Sequence, residues 1–159
     1  MTQKTRILFV CHGNICRSTT AEFVFKQKVA DAGVAERYEI GSAGTSDEEL
    51  GNPVYPPARR ILERHGIDCS GKRARQLTRA DYDRWDLLIG MDFANVANMR
   101  RLFGGDPDGK ISLMFSWVGE EKEVDDPWYH RDFERAYRDI DRCCAALLKA
   151  TSTDAEEER

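Results

Sequence analysis

The sequence predicts an α/β fold, a four-stranded parallel β-sheet with helices on both faces. Three observations carry this. Short apolar runs alternate with helical, amphipathic stretches along the whole chain, as in successive βαβ units. The short runs at Thr5–Val10 and Asp86–Met91 are almost unbroken in apolar character, as strands buried on both faces are. The chain of 159 residues is long enough for one domain with its own core, expected over residues 1–150, and shows neither an internal repeat nor a linker.

Thr5 to Val10 is the first strand. Helix signals start at Ser18. Ala21, Val24, Phe25, Val29 and Ala32 then recur at three- and four-residue spacing until Gly33 ends the helix. Tyr38 to Gly41 reads as a second strand entering a turn-rich loop, Ser42-Ala43-Gly44-Thr45-Ser46. Pro53, Pro56 and Pro57 stiffen the surface segment that follows. A helix is expected from Ala58 to His65, stopped by Gly66. Lys72, Arg73 and Arg75 lie in an irregular basic stretch that reads as a solvated loop. Thr78 and Asp81 resemble a capping pair. Asp86 to Met91 is the third strand, and Asp92 caps the helix after it, which ends at Gly104-Gly105. Ile111 to Phe115 is a weaker fourth strand. An acidic loop, Glu120 to Asp126, leads into D-P-W-Y. The last helix spans Asp132 to Ala150, and the polar residues 151–159 are expected to be a disordered acidic tail.

Composition narrows the function. Hydrophobic residues make up 41% and charged residues 33%, as in a globular protein in water. A net charge of -4 counts against a general nucleic-acid binder. No segment reaches the ~18 apolar residues of a membrane span. Lys4 and Arg6 lead into a run too short for a signal core. The five irregularly spaced cysteines argue for free thiols in a reducing compartment, so a cytoplasmic protein is expected.

The chemistry concentrates in C-H-G-N-I-C-R-S, residues 11–18, between the first strand and its helix. Backbone N–H groups of residues 13–17 can form a concave nest backed by the helix N-terminus, which suits a tetrahedral oxyanion. Arg17 can add a bidentate clamp that lysine cannot. The same field favours thiolate at Cys11, a nucleophile that needs no adjacent general base. Gly13 permits an unusual backbone angle, and Asn14 either holds the turn by side-chain bonds or takes a left-handed conformation. Ser18 can donate its hydroxyl to the Cys11 sulfur. A displaced oxygen leaving group needs a proton, and Asp126 is the best donor in the sequence. Pro127 stiffens its backbone, and the aromatic neighbours Trp128 and Tyr129 disfavour the carboxylate. A solvated loop acid has the same local composition.

These motifs resemble the low-molecular-weight protein tyrosine phosphatase family, over about Thr5 to Lys149. The resemblance rests on V-C-H-G-N-I-C-R-S, G-S-A-G-T-S, R-H-G-I-D, A-R-Q-L, D-P-W-Y, and D-F-E-R-A-Y with Cys143-Cys144. It implies a three-layer, flavodoxin-like sheet and no metal or other cofactor. The implied substrates are phosphotyrosine proteins or small aryl phosphates, handled by a monomer or weak dimer. Cys11 becomes the nucleophile, Arg17 the phosphate clamp and Asp126 the general acid and then base. Asn14, Ser18 and Ser42 brace the loop. His12, Gly13, Asn14, Ile15, Cys16, Ser18, Glu48, Trp128 and Tyr129 contact substrate. Cys16 is either a redox partner of Cys11 or a small loop-filling residue.

The chain departs from the family in three places. Glu48 stands where many members carry an aromatic, and His12 where a small or apolar residue is usual. Gly71-Lys72 lies where a histidine often links to Ser42, so that link is expected to be lost or altered. Two alternatives share the scaffold. Arginine phosphatases place Thr where this chain has Ile15. Arsenate reductases need relay cysteines that residues 70–142 do not contain.

Overall fold

The computed structural model describes residues 3–157. Its centre is β1 (Thr5–Cys11), whose residues from Ile7 to Val10 are fully buried. Alternate side chains of β1 enter two separate apolar clusters. Ile7, Phe9 and Cys11 point to one, and Leu8 and Val10 to the other. A strand covered on both faces cannot alternate apolar with polar, which is why the run in the sequence is unbroken.

Helix α1 (Arg17–Asp31) carries the chain back to β2 (Tyr38–Gly44), which pairs parallel with β1. The sequence reading ends this strand at Gly41. The structure extends it, with Ser42 opposite Phe9, Ala43 opposite Val10 and Gly44 opposite Cys11. Pairing with a buried strand overrides the turn propensity of those small residues. Helix α2 (Pro56–Arg64) starts two residues earlier than expected, because prolines at the first helical positions lack only an N–H that the helix does not use.

Helix α3 (Asp81–Arg84) precedes β3 (Leu87–Gly90), which is shorter than Asp86–Met91 and pairs with the other edge of β1. Helix α4 (Phe93–Phe103) leads to β4, only Ile111–Leu113, because Met114–Val118 winds into a 3₁₀ turn. The sheet order is β2-β1-β3-β4, all parallel. The chain moves from β1 outward to β2 and then crosses to β3, so the strand order reverses between β1 and β3. Ligands of open α/β sheets bind at that crevice, beyond the carboxyl ends of the strands.

After α5 (Pro127–His130), the last helix, α6, runs Phe133–Glu157 and packs against α1. The expected disordered tail is therefore helical as far as Glu157, and its last two residues lie outside the described ones. No Gly or Pro interrupts it, and Thr151 Oγ1 sits 2.5 Å from the Tyr38 hydroxyl. Cys143 and Cys144 are buried on this helix.

The basic stretch before α3 is more ordered than a solvated loop. Arg75 donates twice to Asp81, at 3.1 and 3.0 Å. Asp81 also accepts from the Thr78 N–H at 2.8 Å and from the Trp85 indole at 3.1 Å. Burial pushes the Asp81 pKa up, but the bonds from Arg75, Thr78 and Trp85 outweigh it and hold the carboxyl below its ordinary value. A carboxylate depressed in the folded state contributes stability above its unfolded pKa and loses it as pH falls through the folded one. Asp81→Asn is expected to cost about 2 kcal/mol at pH 7. Urea titrations of the two proteins at descending pH check this, and the gap should close well below about pH 4.

Candidate active site

Residues 12–16 form one tight loop across the carboxyl end of β1, between Cys11 and the start of α1. Asn14 makes the turn. It lies in the left-handed region at φ 59° and is 1% exposed, a conformation asparagine tolerates better than most residues. Gly13, expected to supply an unusual angle, does not take one. Its missing side chain matters because a Cβ there would come within 3.2 Å of Glu49. Gly44 is under a harder constraint, since a Cβ would meet the His12 carbonyl oxygen at 2.8 Å. The end of β2 thus lies directly against the loop, and the N–H groups of Thr45 and Ser46 donate to the Cys11 and His12 carbonyls. Among the described residues, no acceptor receives the backbone N–H groups of residues 13–17. With α1 beginning at the same point, this is a donor set for an oxyanion.

Behind the loop runs a line of hydrogen bonds with a fixed direction. Buried Glu22 of α1 accepts from Ser42 Oγ at 2.5 Å. The Ser42 oxygen in turn accepts from Asn14 Nδ2 at 2.9 Å. The same amide donates to Ser18 Oγ at 2.9 Å, which leaves the Ser18 hydroxyl hydrogen for Cys11 Sγ, 3.0 Å away. The line ends in a donor aimed at the sulfur. Asn14 Oδ1 accepts from the Arg75 N–H at 3.0 Å, which ties the loop to the Asp81 anchor. The side chains of Asn14 and Ser18 are buried behind the loop and brace it, and neither residue lines the cavity above it. Ser42 braces it with them.

Lys72 is neither solvated nor disconnected from Ser42. Its ammonium donates to the Ser42 carbonyl and pairs with Glu22, both at 3.2 Å. Lys26 pairs with the other Glu22 oxygen at 2.6 Å. Glu22 was not singled out from the sequence, where it reads as one more polar position on a helix.

Arg17 is 4% exposed. Its Nη1 donates to Asp92 Oδ2 at 2.8 Å and to the Val124 carbonyl at 2.9 Å. These bonds fix the guanidinium and leave its Nε–Nη2 edge without a hydrogen-bond partner among the described residues. Burial works against the charge, but Cys11, Asp92 and Asp126 outweigh it and raise the Arg17 pKa. Asp92 sits past β3 and its contact with Arg17 spans the point where the strand order reverses. Its other oxygen accepts from the Asn95 N–H at 2.8 Å and caps α4. The sequence shows only this capping role.

A cavity of about 460 Å³ opens above the loop, lined by Cys11, His12, Gly13, Ile15, Cys16, Arg17, Glu48, Glu49, Tyr55, Asp126, Trp128, Tyr129 and Phe133. Asp126 Oδ1 caps α5 by accepting from the Trp128 N–H at 3.0 Å. Its Oδ2 faces Arg17 Nη2 at 3.8 Å. Glu48 lies 3.2 Å from His12 Nε2, at the exposed rim. Tyr55 and Phe133 join Trp128 as aromatic lining, with the ring of Tyr55 5.3 Å from Trp128 and 5.8 Å from Phe133. Neither was anticipated, although Tyr55 between prolines is a signal. Arg131, in the left-handed region at φ 61°, lays its guanidinium over all three rings and donates to the Tyr55 hydroxyl. Burial, with the nearby charges of Cys11 and Asp126, pushes the Cys16 thiol far above its ordinary range, so Cys16 stays protonated.

Comparison with known proteins gives the chain a family. A family model described as low molecular weight phosphotyrosine protein phosphatase matches residues 6–157. The protein of that name from Homo sapiens is 38% identical over 148 residues, covering 90% of this chain and 93% of its own. The crystal structure of YfkJ from Bacillus subtilis is similar at a TM-score of 0.92 and 33% identity, over 96% of this chain and 97% of that one. A Drosophila arginine phosphatase, DARP, is similar at a TM-score of 0.84 and 25% identity, over 91% and 96%. The motif loop, the sheet that presents it and these similarities all lead to one assignment: the chain belongs to the low molecular weight phosphotyrosine protein phosphatase family.

Proposed function

We propose that this chain hydrolyses phosphotyrosine through a cysteinyl-phosphate intermediate, with one phosphatase domain over residues 1–150. The observation that carries the reading is the convergence of Cys11, Arg17 and Asp126 in one aromatic-lined cavity. Cys11 Sγ attacks phosphorus in line. The bond from phosphorus to the phenolic oxygen breaks, and Asp126 gives its proton to that oxygen. Water then attacks the phosphocysteine. Asp126 takes the water's proton, and the sulfur leaves as a thiolate that accepts from Ser18. The N–H groups of residues 13–17 and the free edge of Arg17 hold the equatorial oxygens throughout, where the charge of the transition state is spread.

Tyr55, Trp128 and Phe133 offer ring surfaces to a phenyl group, and Ile15 adds an apolar contact. These features favour an aryl over a guanidinium phosphate. A relay for arsenate reduction finds no thiol in residues 70–142, and Cys143 and Cys144 are fully buried. Cys16, held protonated, is a resolving partner for an oxidised Cys11 and not a competing nucleophile. All five cysteines are free, which supports a cytoplasmic location. No helix of the described residues is long and apolar enough to cross a membrane.

The test is a parallel assay, in chelator, on phosphotyrosine peptides, phosphoarginine and arsenate with added thiol. Hydrolysis of the peptides is expected to dominate and to be unaffected by the chelator. Preferential phosphoarginine hydrolysis, or thiol-dependent arsenate reduction without phosphatase activity, would overturn the reading.

A further inference from the structure

A second cavity of about 460 Å³ adjoins the catalytic one, with His12 lining both. Its wall begins immediately behind the nucleophile, where the Ser46 N–H donates to the His12 carbonyl at 3.0 Å. Its lining includes Arg79, Arg101, Gln76 and Asn98, and no carboxylate. This sets it apart from four other cavities of the molecule. The catalytic one holds Glu48, Glu49 and Asp126, and the other three carry Asp132 and Glu134, Asp83 and Asp108, or Glu120 and Glu121. In a chain of net charge -4, a groove whose own lining holds two guanidiniums and no carboxylate favours an anion, although Arg79 and Arg101 also border the cavity that holds Asp83 and Asp108.

The two guanidiniums are also available. Among the described residues Arg79 has no side-chain hydrogen bond or ion pair. Arg101 Nη1 donates to Asn98 Oδ1 at 2.9 Å, a neutral partner that orients the group without cancelling its charge. Glu48 meets His12 from the catalytic side, so any attraction for an anion rests on the arginines.

We propose that this groove is a substrate subsite for an anionic group carried by a residue close in sequence to the phosphotyrosine. The inference rests on the phosphotyrosine reading above. With the phosphate seated on Arg17, the peptide leaves at the rim that His12 shares with the groove. Two or three extended residues span roughly 7–11 Å, so a flanking side chain reaches the neighbouring cavity. A carboxylate and a second phosphate offer the same chemistry to arginine, namely paired acceptor oxygens.

The experiment compares kcat/KM for phosphotyrosine peptides with neutral residues, with glutamate, and with a second phosphate within three positions of the phosphotyrosine. Para-nitrophenyl phosphate is the small reference. The wild-type protein is expected to favour one or both anionic peptides by about tenfold at low salt, with the preference shrinking as salt screens it. Preference in the glutamate arm alone assigns a carboxylate site. Preference in the phosphate arm alone assigns a site for a second phosphate. Arg79→Gln with Arg101→Gln should abolish the preference and leave para-nitrophenyl phosphate hydrolysis unchanged. Arg101→Glu should shift it toward lysine-flanked peptides. Equal rates on neutral and anionic peptides would overturn the inference while leaving the phosphatase reading intact, as would variants that slow peptide and reference substrates alike. A wild-type protein inactive on every substrate would overturn both.

Discussion

Cys11→Ser is expected to abolish phosphotyrosine hydrolysis, by ~10⁵–10⁶-fold, the scale on which loss of a nucleophile acts. The loss is chemical and not structural. Serine fits the site, because Cys11 is flanked by the Ser18 hydroxyl and closes an apolar strand whose packing it scarcely alters. What disappears is the anionic sulfur. An alcohol is a far weaker acid than a thiol, and among the described residues the only side chain hydrogen-bonded at this position is the Ser18 hydroxyl, which is no general base. Phosphate binding should persist, since Arg17 and the loop N–H groups are untouched. Turnover and phosphate affinity measured on the same preparation check this. Substantial activity in the variant would sink the covalent route.

The second large effect is selective. Asp126→Asn is expected to slow turnover by ~10²–10⁴-fold on substrates with poorly acidic leaving groups, and much less on those whose phenolate leaves unaided. Asparagine retains an acceptor for the Trp128 N–H that caps α5, so the loop keeps its shape while the proton is lost. A series of aryl phosphates of graded leaving-group acidity supplies the measurement. The wild-type rate should be nearly flat across the series and the variant rate steep. A uniform drop across all leaving groups would mean that Asp126 shapes the pocket and moves no proton.

Features carried by contiguous residues were legible in the sequence. The unbroken run from Ile7 to Val10 implied a strand covered on both faces, and C-x5-R-S before a helix implied an oxyanion loop. Asp92 could be read as a helix cap because a helical pattern starts directly after it. Its hold on Arg17 could not, because that depends on β3 lying beside β1. Glu22 and Lys72 are fifty residues apart and meet only because β2 continues to Gly44, where turn-prone residues disguised a strand. Tyr55 and Phe133 became pocket lining through the path of two loops, which local patterning does not encode. The left-handed turn, which the sequence left open to Gly13 or Asn14, falls to Asn14. Either residue allows a left-handed turn, and only Asn14 has bonding partners arranged to hold it there.

The division of Asp92 has a thermodynamic consequence. One oxygen secures the first turn of α4 and the other secures the guanidinium that grips the oxyanion. A single carboxylate thus makes anion occupancy and local order at α4 linked quantities. Any ligand that tightens Arg17 against Asp92 also protects the helix start from opening, and fraying of that turn weakens the grip on phosphate by the same free energy. Product release and a breath of α4 are therefore reciprocal events in one equilibrium.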